Sequence, residues 1–155
     1  MNTISRHNLR IIIVKALYSL DLNGEEEIDK DLVKYLLCYA ANLEEDVDLL
    51  YQQYSTSFDE AIEDISKIYS HLSEINEIIL RNLENYKIER LNFVDRAIIR
   101  FAVYEMIYKG TPNSIAINEA LEITKEYSNI EDSEQVKFNN SVLDKINKDI
   151  TNGKH

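Results

Sequence analysis

The chain has 155 residues, 45% of them hydrophobic, and 17 Lys/Arg against 28 Asp/Glu give a net charge of −11. That length can bury ~68–70% of the unfolded surface, so no disulfide or metal staple is required, and the composition lies outside the disordered range. Three glycines and one proline argue against sheet architectures, which need turn residues every ~8–12 positions; abundant Leu, Ile, Glu and Lys favour helices joined by short loops.

The charge is uneven. Residues 1–78 carry 6 Lys/Arg and 16 Asp/Glu, a balance of −10, whereas residues 79–155 carry 11 and 12. An acidic chain binds nucleic acid poorly without specificity, because phosphate neutralisation drives such binding. Any RNA role therefore needs a local basic patch and a partner. No stretch reaches ~18 apolar residues, and Lys15 cuts the run Ile11 to Val14, so no membrane span is expected and the cytoplasm is the expected location. The single cysteine, Cys38, cannot form an internal disulfide or a thiolate zinc site. Its neighbours Leu36, Leu37, Tyr39 and Ala40 predict a buried apolar thiol, with a nucleophile as the alternative.

In chain order, 4–22 predicts a first helix with Leu9, Ile12, Ile13, Ala16, Leu17 and Leu20 as its apolar stripe. Arg6 and Arg10 lie one turn apart at the stripe's edge, with His7, Val14 and Tyr18 on the same flank, and Asn23-Gly24 ends the helix. A second helix is predicted over 29–54, with a candidate break near Asn42. Ser57 with Glu60 three residues later has the spacing of a capping box. Helices over 58–72 and 74–86 follow, each amphipathic. The helix over 92–109 is apolar on nearly every side and is expected at the centre of its bundle. Gly110 ends it, and Pro112 opens a helix over 112–128. The last helix, 136–150, uses Val136, Val142, Leu143 and Ile146.

Catalytic apparatus is missing from the pattern. Glycines at 24, 110 and 153 cannot build a phosphate-cradling loop, and no metal or cofactor set stands out. His71 and Glu74 have one-turn spacing, which suits either chelation or a solvated pair. Glu105 falls on an apolar face among Val94, Ile98 and Phe101. It is either a general acid or base, or a structural carboxylate accepting hydrogen bonds near the Ile115–Asn118 helix start. The ten tyrosines read as core rings with hydroxyls at the rim, or as stacking surfaces for bases. Arg6 with Arg10 is by itself either a solvated helix edge or a phosphate contact.

Three stretches resemble one family. Val94-Asp95-Arg96-Ala97-Ile98-Ile99-Arg100-Phe101-Ala102-Val103-Tyr104-Glu105-Met106 is similar to the core-helix signature of the NusB family of transcription antitermination factors. Ala116-Ile117-Asn118-Glu119-Ala120 matches that family's Ala-Ile-Asn-Glu-Ala helix start. Lys137-Phe138-Asn139-Asn140-Ser141-Val142-Leu143-Asp144-Lys145 is similar to its Lys-Phe-apolar-Asn-Gly-Val-Leu-Asp-Lys segment. Near the N-terminus, Lys15-Ala16-Leu17-Tyr18 resembles Gln-Ala-Leu-Tyr. The chain departs from the family in a thinner N-terminal Arg cluster, in Ile11 where a Glu is usual, and in Asn139, Ser141 and a slightly longer turn before the last helix.

The resemblance implies an all-α fold of two small bundles with about six or seven helices. The expected divisions are 1–86, 87–150 and a tail at 151–155. It implies a non-enzymatic function: binding boxA-type single-stranded RNA together with NusE, a small-subunit ribosomal protein, within the transcription elongation complex. Carried onto this chain, the RNA-binding residues are Arg6, Arg10, Tyr18, Tyr127, Asp132, Lys137 and Phe138, and the partner-facing residues centre on Asp95 and Arg96. Arginine supplies phosphate contacts while Tyr and Phe offer faces for unpaired bases, so the residue types fit single-stranded RNA. The alternative is a helical protein-interaction module or homodimer on the same fold. A domain of this fold also occurs fused to RNA methyltransferases; 155 residues leave no room for such a domain, so that reading holds only for a fragment of a longer chain.

Overall fold

The structure, a computed structural model, describes residues 2–24, 26–41, 46–83, 88, 91–128 and 134–153. These residues form eight α-helices, one or two more than expected, and no strand. They are α1 (Arg6–Leu22), α2 (Lys30–Ala40), α3 (Val47–Gln53), α4 (Ser55–Ser70), α5 (Leu72–Arg81), α6 (Phe93–Tyr104), α7 (Asn113–Tyr127) and α8 (Glu134–Thr151). None is long and apolar enough to cross a membrane. The helices belong to two compact units, Met1–Ser70 and His71–His155. α5 thus belongs to the second unit, although it lies before residue 86, because Ile75, Ile78 and Ile79 pack it on α6 and α8.

In the first unit α1 packs on α2 and α4. Ser5 caps it by accepting the Asn8 N–H at 3.3 Å. The predicted stripe is buried throughout, and Ile11 and Val14 are buried beside it. The segment 29–54, read as a helix with a candidate break, holds two helices. Asp29 caps α2, accepting from the Asp31 and Leu32 N–H groups, and Asp46 caps α3 in the same way through Asp48 and Leu49. A second capping aspartate starts a new helix whatever the apolar period says; Asn42 itself lies outside the described residues. Ser57 does not cap α4, which begins at Ser55. Its buried hydroxyl instead accepts the Ile4 N–H at 2.9 Å, tying the N-terminal segment to α4. Cys38 is buried, as its surroundings predict, and burial pushes its thiol up against the pull of Lys34.

In the second unit α6 packs on α5, α7 and α8, and Ala97–Ile99 and Phe101–Tyr104 are all buried. An all-round apolar helix has nowhere else to go. The α-winding stops at Tyr104. Glu105–Lys109 form a π-helical turn, closed by Gly110 at φ +78°, whose N–H donates to the Glu105 carbonyl. Glu105 is 2% exposed. Its Oε2 accepts the Thr111 hydroxyl at 2.8 Å, in the turn before α7. Glu105→Ala removes that acceptor and is expected to cost roughly 1–3 kcal/mol, read from the midpoint of urea unfolding. A shift too small to measure would show the carboxylate to be dispensable.

α5 ends at Arg81, short of the expected 86. The Asn82 amide bonds the Ile78 carbonyl at 2.8 Å and the Asp149 carboxylate at 2.9 Å, and Arg81 forms a bidentate pair with Asp149. Polar groups that tie a helix end to α8 stop its winding there.

Candidate nucleic-acid interface

Arg6, Arg10 and Tyr18 lie at i, i+4 and i+12 of α1, one flank spanning about 18 Å along the helix axis. Arg6 is exposed and Arg10 and Tyr18 are half-buried. The Arg6 guanidinium donates to Glu60 Oε2 on α4 at 2.6 Å. Arg6 is exposed and Glu60 partly so, and such a pair contributes little to stability, yet it fixes the guanidinium and cancels part of its charge. A phosphate at Arg6 must compete with Glu60. Glu60→Gln is therefore expected to strengthen RNA binding about two- to threefold at low salt, measured by fluorescence titration; weaker binding would mean that Glu60 orients Arg6 rather than competing for it.

In the second unit, Tyr127 is the last residue of α7 and is 38% exposed. Lys137 is exposed in the first turn of α8, and Phe138 beside it is half-buried. Asp132 lies outside the described residues.

Asp95 and Arg96 are both buried, at 1% and 8% exposure. Asp95 sits one turn into α6, where its N–H donates to the capping Asn92 side chain at 2.8 Å. Its Oδ1 accepts the Ser128 hydroxyl at 2.7 Å and the Asn139 amide at 2.9 Å. The same amide reaches Thr124 Oγ1 at 3.1 Å, Thr124 donates to the Ala120 carbonyl, and Gln135 donates to Asn139 Oδ1 at 3.2 Å. One carboxylate thus joins the start of α6, the end of α7 and the start of α8. Arg96 lies over the Phe93 ring, 4.4 Å from its centroid.

Thr124, Ser128 and Asn139 were not among the candidates read from the sequence. The signal existed for Asn139: it stands three and four residues before Val142 and Leu143, on the core face of α8. A polar residue there needs a buried partner, and Asp95 supplies it.

Elsewhere the chemistry is structural. His71 stacks on Tyr108 with ring centroids 4.2 Å apart. Among the described residues no group of three or more His, Cys, Asp or Glu side chains could hold a metal ion.

The model of the NusB family matches residues 7–148, which takes in both units. The chain belongs to the NusB family. The transcription antitermination protein NusB of Nitratiruptor sp. is 33% identical over 149 residues, covering 96% of each chain. A crystal structure of NusB from T. maritima matches with a TM-score of 0.74 at 29% identity, over 95% of this chain and 93% of that one. A chain from a crystal structure of the antitermination factors NusB and NusE in complex with double-stranded RNA matches with a TM-score of 0.71 at 25% identity, over 92% and 96%. All three motifs read in the sequence fall inside the matched region, and the buried α6 carries the first of them.

Proposed function

We propose that this member of the NusB family is a transcription antitermination factor that binds boxA-type single-stranded RNA together with NusE, in the cytoplasm and as part of the elongation complex. The observation that carries this is the family match along nearly the whole chain, 7–148. The relative in the structure with NusE and RNA supports the partner assignment. The reading includes no catalytic step and no cofactor. The protein's work is to hold an RNA segment and a protein in one assembly.

The RNA-binding residues in this reading are Arg6, Arg10 and Tyr18 on α1, with Tyr127, Asp132, Lys137 and Phe138 around the α7–α8 turn. Arginine and lysine hold phosphates, and the rings stack on bases or sugars. A net charge of −11 makes the chain a weak RNA binder alone, and a basic partner supplies the missing charge. Asp95 and Arg96 act toward NusE from beneath the surface: buried, they fix the N-terminal turn of α6 that the partner meets.

The test is a titration of labelled boxA RNA and a scrambled RNA, each with and without NusE. The expected result is tighter binding of boxA than of the scrambled strand when NusE is present. Equal binding of the two RNAs by the mixture would overturn the reading.

A further inference from the structure

The acidity of the molecule is concentrated in one stretch. Residues 25–63 carry 12 Asp/Glu and 2 Lys, a balance of −10 out of the −11 of the whole chain. Within it, Asp31, Tyr35 and Tyr39 are spaced four apart on α2 and all three are exposed. Tyr39 is 75% exposed and Tyr35 52%, with their rings stacked at 6.3 Å between centroids. Two aromatic rings paired in solvent form a ledge that contributes nothing to the core and is the kind of surface a partner covers.

Asp31 also belongs to the wall of a cavity of about 530 Å³ shared with Asp59, Glu63, Tyr51 and Ser66. The Tyr51 hydroxyl donates to Asp59. The Ser66 hydroxyl is buried with no hydrogen-bond partner among the described residues. Glu63 pairs with Lys67 at 2.9 Å, and two further ammonium groups reach the same wall. Lys34 is already engaged, lying 4.2 Å from the Tyr51 ring centroid and pairing with Asp48 at 3.5 Å; Lys30 is the second. Three carboxylates thus border a recess beside two exposed rings.

We propose that the Asp31–Tyr35–Tyr39 face of α2 and the adjoining cavity dock an arginine-bearing basic segment of a protein partner. A guanidinium is planar, stacks on tyrosine faces and bonds carboxylates through two parallel N–H groups, so one side chain type uses both features. RNA is repelled by this face, since phosphates gain nothing from a surface of carboxylates. A second copy of the chain would bring the same negative field against itself. This surface is separate from the residues proposed for RNA, and it stands whether or not they bind it.

The experiment titrates the full chain with a fluorescent peptide of alternating Arg and Ala, and with Lys and Asp versions of it, at low salt. The Arg peptide is expected to bind, the Lys peptide about threefold more weakly, and the Asp peptide not at all. Asp31→Asn with Glu63→Gln should weaken binding about tenfold, and Tyr35→Ser with Tyr39→Ser about fivefold. Lys30→Gln should tighten it about twofold by removing a competing cation. Glu26→Gln with Glu27→Gln removes the same charge from the loop before α2 and should change little. Amide-shift mapping on the unmodified protein should centre on α2, which keeps the test independent of how the variants fold. Equal losses from the two carboxylate pairs would reduce the effect to diffuse charge and overturn the proposal. So would indifference to the tyrosines, or self-association that the tyrosine variant abolishes.

Discussion

Replacing Asp95 with alanine is expected to lower stability by about 3 kcal/mol, the largest effect of any single polar substitution in the second unit. The carboxylate is buried and its Oδ1 accepts from Ser128, which caps the end of α7, and from Asn139 on α8. Its removal takes an acceptor from the half-buried Ser128 hydroxyl and from the buried Asn139 amide, which keeps Thr124 Oγ1, and opens a small void. Asp95→Asn keeps the volume and one acceptor oxygen, so about 1 kcal/mol is expected. Asn139→Leu, which restores an apolar residue at that place, should fall between the two. Urea unfolding followed by circular dichroism reads all three, with the slope expected to stay constant. A shift below ~0.5 kcal/mol for Asp95→Ala would mean that water or a rearranged turn takes over the carboxylate's part. The same variants should weaken NusE-dependent boxA binding more than their stability loss explains, if Asp95 acts by fixing the α6 start.

The second large effect is on RNA. Arg6→Ala with Arg10→Ala is expected to reduce boxA affinity about 10- to 100-fold near 0.1 M salt. It should also lower the slope of log affinity against log salt by about 1.4, since each phosphate contact on a single strand contributes about 0.7. Phe138→Ala tests the complementary half of the interface. Losing a stacked ring should cost about 1–3 kcal/mol of binding while the salt slope stays unchanged. An arginine double variant with an unaltered slope would place the phosphates elsewhere on the protein. A slope that falls for Phe138→Ala would mean that the ring organises a charge rather than meeting a base.

The parts of the fold readable in the sequence are those decided by apolar period. α1 stands where its stripe predicts, and α6 is central because it has no polar face to turn outward. Period fails where side chains, rather than burial, set the ends of helices. Asp46 starts α3 within a stretch whose apolar period runs on and for which only a candidate break near Asn42 is readable, and Asn82 stops α5 through bonds to Ile78 and Asp149. Ser57 has the spacing of a cap, yet its hydroxyl is taken by the N-terminal segment fifty-three residues away, a contact that only the folded chain reveals.

The candidate RNA residues were legible only through the family motifs, since an arginine pair on a helix edge has the same local pattern whether or not it meets RNA. The exposure of Arg6, Lys137 and Tyr127 suits ligand contact. The burial of Asp95 does not follow from its acidic character. It follows from Asn139, Ser128 and Thr124, three polar residues whose meeting depends on how α6, α7 and α8 pack.

The π-helical turn at Glu105–Lys109 bears on how this chain tolerates changes in length. A π-turn holds one residue more than an α-turn, so losing a residue between Glu105 and Lys109 can be absorbed by rewinding to α while Tyr104 and everything before it stay in register. The same loss inside α6 would rotate each following side chain by about 100° and misfit it against α5, α7 and α8. Insertions and deletions that survive selection along this helix should therefore gather after Tyr104 and leave the stretch from Phe93 to Tyr104 untouched.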